Sequence, residues 1–416
     1  MISLLSRVRK TSPQLLLYFS AIIFMGAASG CFDTSYNNFL EGVFQISAQR
    51  RGMLEFPREL PGFLVAAMTG LLATLPETGV AGISGLVTFM GMMGLSWVHL
   101  HDTNPGAWQW MVLFTILWST GTHLGMPVQA SIGMSLAHES KRGRRLGQMG
   151  SLAAVGAIIG AALAWVLSGS RSTPPYWLIF ATGGTMALAA ALTFVQIRGV
   201  GRHTARPRLI VRRKYWLYYV LCVLFGARKQ IFMTFGPWVL IEVFHRNVRT
   251  FAKLRIVNSV LTVFTNPFIG SLIDRWGERR VLMVDSFLLM LVCLGYGASH
   301  LFGSAGVWVA FTCFVLDEVM FGFGMARTIY LSKIAEKPEH VTASLGLGVS
   351  LDHAVSMSLP TLGGLLWVRY GHPWVFFAGG VIGLLMTIFS SLIVVPQGEV
   401  PEEAQEAAAT PAEPGL

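Results

Sequence analysis

The sequence predicts an all-α integral membrane protein, with twelve transmembrane helices arranged as two pseudo-symmetric six-helix bundles. Three observations predict it. Hydrophobic residues make up 53% of the 416 positions and charged residues only 12%, against about 25% charged in an ordinary soluble domain. The apolar residues gather in runs of about twenty, long enough for a helix to cross the hydrocarbon core. The basic residues also sort by side. If the two termini share one face, nineteen lysines and arginines fall on that face and six on the other. That bias places both termini in the cytoplasm of a cell (plasma or inner) membrane.

The runs cover residues 14–35, 58–76, 80–100, 108–136, 148–168 and 175–197, then 215–243, 250–272, 280–301, 306–332, 343–367 and 373–395. Backbone polar groups in lipid must be satisfied within the segment, so each run is expected to be a helix. Span one follows Arg7, Arg9 and Lys10 and contains "AASGC" (27–31). The apolar pattern continues through eleven further runs, so this helix reads as an uncleaved first span. Between spans six and seven lies "RGVGRHTARPRLIVRRK", which divides the chain into an N-terminal bundle (1–197), a basic linker (198–214) and a C-terminal bundle (215–395). A shift of 200 residues pairs Gly70 and Leu72 with Gly270 and Leu272, and Gly106 and Trp108 with Gly306 and Trp308. These matches fall at equivalent topological positions, as duplicated halves require. The tail, 396–416, is rich in Ala, Pro and Glu without apolar periodicity and reads as a disordered cytoplasmic extension.

The net charge of +10 is therefore a statement about topology and not about nucleic acid. The basic cluster "HESKRGRRLG" (138–147) joins spans four and five on the inner side, where such clusters meet anionic headgroups. The four cysteines lie in or at the ends of spans, without disulfide or zinc spacing. No phosphate-binding loop of the nucleotide-hydrolase type is present, so an ion or solute gradient is the expected energy source. No cofactor or metal is expected. Short loops leave no room for a soluble catalytic domain, and no nucleophile–base or metal-ligand pattern suggests an enzyme.

One loop is more specific. In "GSLIDRWGERR" (270–280), Gly270 lets helices approach, Asp274 ends a helix, and Gly277 permits a turn before Arg279 and Arg280. The spacing resembles the signature loop of the major facilitator superfamily of secondary transporters, and the likeness extends over about residues 14–396. The resemblance implies two bundles rocking about a central cavity lined by spans one, four, seven and ten. It also implies a latch, with Asp274 as its carboxylate, Gly270 and Gly277 as packing and turn glycines, and Arg275, Arg279 and Arg280 as basic partners. The corresponding loop of the first half, "GLLATLPETG" (70–79), has Thr74 in place of the acid, which leaves Glu77 as the substitute.

Charges inside the spans are the candidate functional groups, because each costs at least about 2.5–3.5 kcal/mol at mid-membrane. Span seven carries Arg228, Lys229 and Gln230, with Arg228 roughly 20 Å along its helix. Span ten carries Asp317 and Glu318, with Arg327 nearer the cytoplasm. Span four offers His123, span one Asp33, and span eleven Asp352 and His353. Arg58 and Glu59 open span two. Neighbouring helical residues point about 100° apart, so Arg228 and Lys229 are expected to have different partners. One reading pairs them with acids across helices; the other has one of them meet an anionic solute.

The expected function is secondary active transport of a small solute by a monomer. The solute leans to an organic anion, with protons as a coupling ion through Asp33, Asp317, Glu318 or Asp352. An alternative is a proton-coupled exporter of cationic or amphipathic compounds, in which those carboxylates bind the cargo. A third reading is a membrane receptor that binds solute without turnover.

Overall fold

The computed structural model describes residues 12–72, 74–137, 142–169, 173–198 and 211–395. Most of the basic linker, the tail and the N-terminal basic residues lie outside this set, as do residues 138–141 of the basic cluster. Among the described residues the chain is helical, without strands.

Span one is the long helix Pro13–Phe44. Ser12 caps it by accepting from the Leu15 amide at 3.3 Å, and Pro13 sits where its missing N–H costs nothing. Span two differs from a single crossing helix. It is divided into Ala48–Met53, Glu55–Phe63 and Val65–Leu71, and it begins ten residues earlier than the hydropathy suggests. Pro61 lies inside the middle piece, where a proline deprives the helix of a hydrogen bond. Spans three to six are Glu77–Leu100, Ala107–Ser135, Arg142–Ser168 and Tyr176–Phe194.

Span seven runs Trp216–Trp238 and ends in a wider π turn, Val239–Val243, just after Pro237. Spans eight and nine form one helical stretch, Val248–Ala298, interrupted at Gly277. Span ten is Gly306–Met320, a tight 3-10 turn at Phe321–Gly324, and Met325–Ile334. Spans eleven and twelve are Pro338–Tyr370 and His372–Ser391.

Six segments are long and apolar enough to cross a membrane by those measures alone, and one of them, Val248–Ile334, contains spans eight, nine and ten. Spans two, four, seven and eleven fall below that measure. They carry Glu55, Glu59, His123, Arg228, Lys229, Asp352 and His353.

Buried apolar residues of both halves form one continuous core, with aromatic contacts inside each half. In the first, Phe32 stacks on Trp118 and Phe39 packs edge-on against Phe180. In the second, Tyr296 stacks on Phe376, and Phe232 is tilted against both rings. Span one and span five approach backbone to backbone. A Cβ on Gly26, Gly30, Gly156 or Gly160 would overlap a main-chain oxygen of the facing helix. This small-residue contact is the usual means of close helix association in lipid.

The face where Ser12, Lys214 and Val395 lie is the terminal face, and the other is the distal face. Among the described residues, polar contacts between the halves gather from mid-depth to the distal face. Asn38 donates to the Arg246 carbonyl at 2.9 Å, Arg255 pairs with Asp33 at 3.1 Å, and His353 meets Glu59 at 2.8 Å. Span eleven lies against the broken span two so closely that a Cβ on Gly364 would stand 2.7 Å from the Ala48 carbonyl oxygen.

Candidate functional site

Toward the terminal face from these contacts lies a cavity of about 400 Å³ between the halves. The first half contributes Met25, Ser29, Thr122, Met126, Gln129 and Met149; the second contributes Arg255, Asn258, Ser259, Thr262 and Glu318. The walls therefore come from spans one, four, five, eight and ten. Span seven, expected to line the cavity, supplies none of its lining, while spans five and eight do. The reason is visible on both sides. The glycine contacts bring span five beside span one, and span seven is held back by ion pairs with its own half.

Those pairs account for the two adjacent cations. Arg228 is 1% exposed and its Nη1 lies 3.2 Å from both carboxylate oxygens of Asp285; its Nη2 lies 3.4 Å from Asp317. Its guanidinium also stands over the Phe321 ring. Lys229 takes a different partner, Asp352, at 2.8 Å on span eleven. A Cβ on Gly226 would come within 2.7 Å of Asp352, so a glycine is what lets span eleven come this close. Gln230 points the other way and donates to Glu55 of span two. Arg327 donates weakly to the Leu221 carbonyl and stands 3.7 Å over the Phe225 ring.

Asp285 and Glu55 are partners that the sequence reading did not single out. Asp285 had a signal, because it is a lone acid in the apolar run "VLMVDSFLLM", and intramembrane acids mark sites. Glu55 had none, since it precedes the span expected from hydropathy.

Glu55 centres a buried network. Arg51 and Arg58 both bind it, and Arg51 also donates to Asn37 at 2.8 Å. Arg58 continues to Glu59 at 2.5 Å, and Glu59 to His353. His123 stands edge-on to His353, ring centroids 5.0 Å apart, with its Nδ1 2.9 Å from the Ser119 carbonyl oxygen.

Within the cavity wall, Arg255 pairs with Asp33 while its Nε is buried and without a partner among the described residues. One turn on, Asn258 is 3% exposed and both its amide atoms lack partners. Glu318 completes this end of the cavity.

The signature loop differs in detail from its expected form. The helix runs through Asp274 and breaks only at Gly277, whose φ of 77° and ψ of 162° suit glycine alone. Asp274 is exposed and forms no ion pair among the described residues. The same holds for Arg275, Arg279 and Arg280. A Cβ on Gly270 would meet nothing within 4 Å, so no helix approaches it closely. The loop's buried acid is Glu278, 2.5 Å from Lys333. In the first half, Glu77 accepts from Ser131 at 2.7 Å.

The family profile of the Major Facilitator Superfamily matches residues 18–357 and, in a second overlapping alignment, 219–415. The chain belongs to the major facilitator superfamily. It is thus a multi-pass membrane transporter, and the superfamily's members are not enzymes. A Bacillus subtilis (strain 168) relative, the MFS-type transporter YybF, is 24% identical over 276 residues, 63% of this chain and 64% of the relative. The match thus spans less than two thirds of that relative's length.

Solved structures share the superfamily fold. The xylose transporter XylE of E. coli, inward open, gives a TM-score of 0.73 at 13% identity, covering 95% of this chain and 98% of that one. A bacterial homologue of the iron transporter ferroportin, inward-facing, also gives 0.73 at 13%, covering 91% and 98%. The nucleoside transporter NupG gives 0.71 at 12%, covering 91% and 98%. At these identities the likeness concerns the fold alone.

Proposed function

We propose that this chain moves a small organic anion by alternating access, with a proton taken up at Glu318. The observation that carries the reading is the pair Arg255 and Asn258. Arg255 lines the cavity with an uncommitted Nε, and Asn258, one turn away, has two uncommitted amide atoms. Buried polar atoms without partners are costly; a carboxylate or phosphate oxygen would satisfy the two donors, Arg255 Nε and Asn258 Nδ2, and a hydroxyl of the solute would donate to Asn258 Oδ1. Arg228 and Lys229 are taken here as the braces of spans seven, nine, ten and eleven.

Charge balance supplies the coupling. The cavity end holds one cation, Arg255, and two acids, Asp33 and Glu318. An anion entering beside two carboxylates is repelled; protonating Glu318 removes one of those two negative charges and leaves Arg255 to be shared between Asp33 and the solute. The bodies that rock are taken as residues 1–197 and 215–395 within a single chain. The terminal face is read as cytoplasmic from its excess of arginine and lysine, which makes this the inward-open state.

The competing reading, export of a cationic amphipathic compound, is favoured by the methionine wall of Met25, Met126 and Met149 beside Glu318. Counterflow of labelled mono- and dicarboxylates, organic phosphates and lipophilic cations in proteoliposomes separates the two. The anion reading expects Arg255→Gln to abolish anion exchange. It also expects Glu318→Gln to keep exchange while losing the response to a pH gradient. Anion exchange at full affinity in Arg255→Gln would overturn it, and cation exchange lost in Glu318→Gln would establish the alternative. Ligand-dependent stabilisation with no counterflow for any solute would point to a receptor.

A further inference from the structure

We propose that Glu59, His123 and His353 form a transition-metal site of the zinc type that clamps the two halves in the distal-closed state. The ligand atoms of these three side chains all lie within 4.8 Å of one another. Zinc holds nitrogen and oxygen ligands at about 2.0–2.2 Å, so a tetrahedral site needs ligand atoms about 3.4 Å apart. The widest pair would have to close by up to about 1.4 Å, while Glu59 Oε2 and His353 Nδ1, now 2.8 Å apart, would part by about 0.6 Å. Two imidazoles with one carboxylate also leave a fourth position for water.

The surroundings are those a metal site requires. His123 keeps Nδ1 against the Ser119 carbonyl oxygen at 2.9 Å, with the Ser119 hydroxyl at 3.1 Å. The carbonyl can only accept, so Nδ1 carries the proton and the Nε2 lone pair is free for a metal. An outer-shell bond of this kind is what orients histidine ligands. On Glu59, Arg58 holds Oε1 at 2.5 Å, which leaves Oε2 turned to His353 Nδ1 at 2.8 Å. A metal would take the place of the proton now shared between Oε2 and Nδ1. Arg58 shares Glu55 with Arg51, which offsets part of its repulsion of an ion. Gly62 makes the room: a Cβ there would stand 2.5 Å from His353 Nδ1 and 2.8 Å from His123 Cδ2.

The position gives the site its consequence. Glu59 and His123 belong to the first half and His353 to the second, so the ligands converge only while the distal side is shut. An ion bound here stabilises that state over the opposite one by its differential affinity. The inference rests on alternating access alone and not on the nature of the solute.

The test uses purified full-length protein, and it reads binding separately from transport. Zinc bound per chain after dialysis, and the shift of Tm with added Zn²⁺, are measured in the wild type, His123→Gln, His353→Gln and Glu59→Gln. His300→Gln is the control, since His300 pairs edge-on with His372 elsewhere. One zinc per chain and a rise in Tm are expected for the wild type and control. Each ligand variant should lose more affinity than the roughly 10–100-fold typical of losing an outer-shell partner. Mg²⁺ and Ca²⁺, which prefer all-oxygen sites, should raise no Tm. In proteoliposomes, Zn²⁺ should slow counterflow in the wild type and control. If a variant fails to fold, the absorption of Co²⁺ bound to wild type reports tetrahedral nitrogen coordination in its place. Unchanged zinc content in all three variants, no zinc in the wild type, or zinc carried into the vesicles as cargo would each overturn the clamp.

Discussion

Gly52 and Pro360 meet backbone to backbone across the two halves, and a Cβ on Gly52 would overlap the Pro360 carbonyl oxygen. Main-chain atoms yield little, so Gly52→Ala should obstruct distal closure. Overpacking of this kind costs about 1–3 kcal/mol, which shifts a two-state ratio by about 5–150-fold. Distance measurements between spin labels on the distal ends of spans one and seven should show the variant more open there. Unchanged distances would mean that the helices slide apart freely at this point.

Arg228 is predicted to be a brace. Removing its charge leaves Asp285 and Asp317, 1% and 5% exposed, as buried anions without their cation. Breaking a buried pair from one side costs about 3–5 kcal/mol, so Arg228→Gln should lower Tm sharply. Asp317→Asn should do so less, because Asp285 keeps both oxygens on Arg228. In whatever fraction of Arg228→Gln folds, anion affinity should match the wild type. A selective loss of affinity with Tm unchanged would return Arg228 to the solute site.

Lys229, Asp352 and Gly226 are predicted to act as one unit. Gly226→Ala forces Asp352 aside and so weakens its 2.8 Å pair with Lys229. Residues in one network couple by about 0.5–3 kcal/mol. Thermal unfolding of Gly226→Ala, Lys229→Gln and the double variant should therefore be clearly less than additive. Strict additivity would show that the glycine serves packing only.

At the terminal face, Lys214 hydrogen-bonds Glu336 at 3.2 Å, and that bond and charge hold the Glu336 carboxyl below the usual glutamate range. A depressed carboxyl stabilises the fold above its ordinary range, and the contribution is lost as pH falls through the folded-state value. In Lys214→Gln the carboxyl should titrate at higher pH, read from the ¹³C shift of labelled glutamate against Glu336→Gln. An unmoved titration would assign the effect to other groups. Because the pair is exposed, Tm near neutral pH should barely change.

The apolar runs made the spans legible, because lipid leaves a buried backbone no choice but helix. The intramembrane charges were legible as sites for the same reason, since each must be compensated. Their partners were not. Gln230 meets Glu55 across 175 positions and His353 meets Glu59 across 294, and nothing in local composition encodes such pairings. Span two misled for a related cause. Arg51 and Glu55, ahead of the expected span, look like a solvated loop until tertiary contact neutralises them, and then they can be buried in helices. Span seven's place was hidden too, because only the position of Asp285 shows that Arg228 faces inward to its own half.

At Gly26, Gly30, Gly156 and Gly160, spans one and five meet main chain to main chain. A seam of that kind has no rotamers to trade and no slack to take up, so the two rods travel as one lever. Span five bears Trp165 at its far end, 5.3 Å under the Arg249 guanidinium of span eight. A displacement of span one at Asp33 should therefore carry span five with it, and with span five the Trp165–Arg249 contact at its far end.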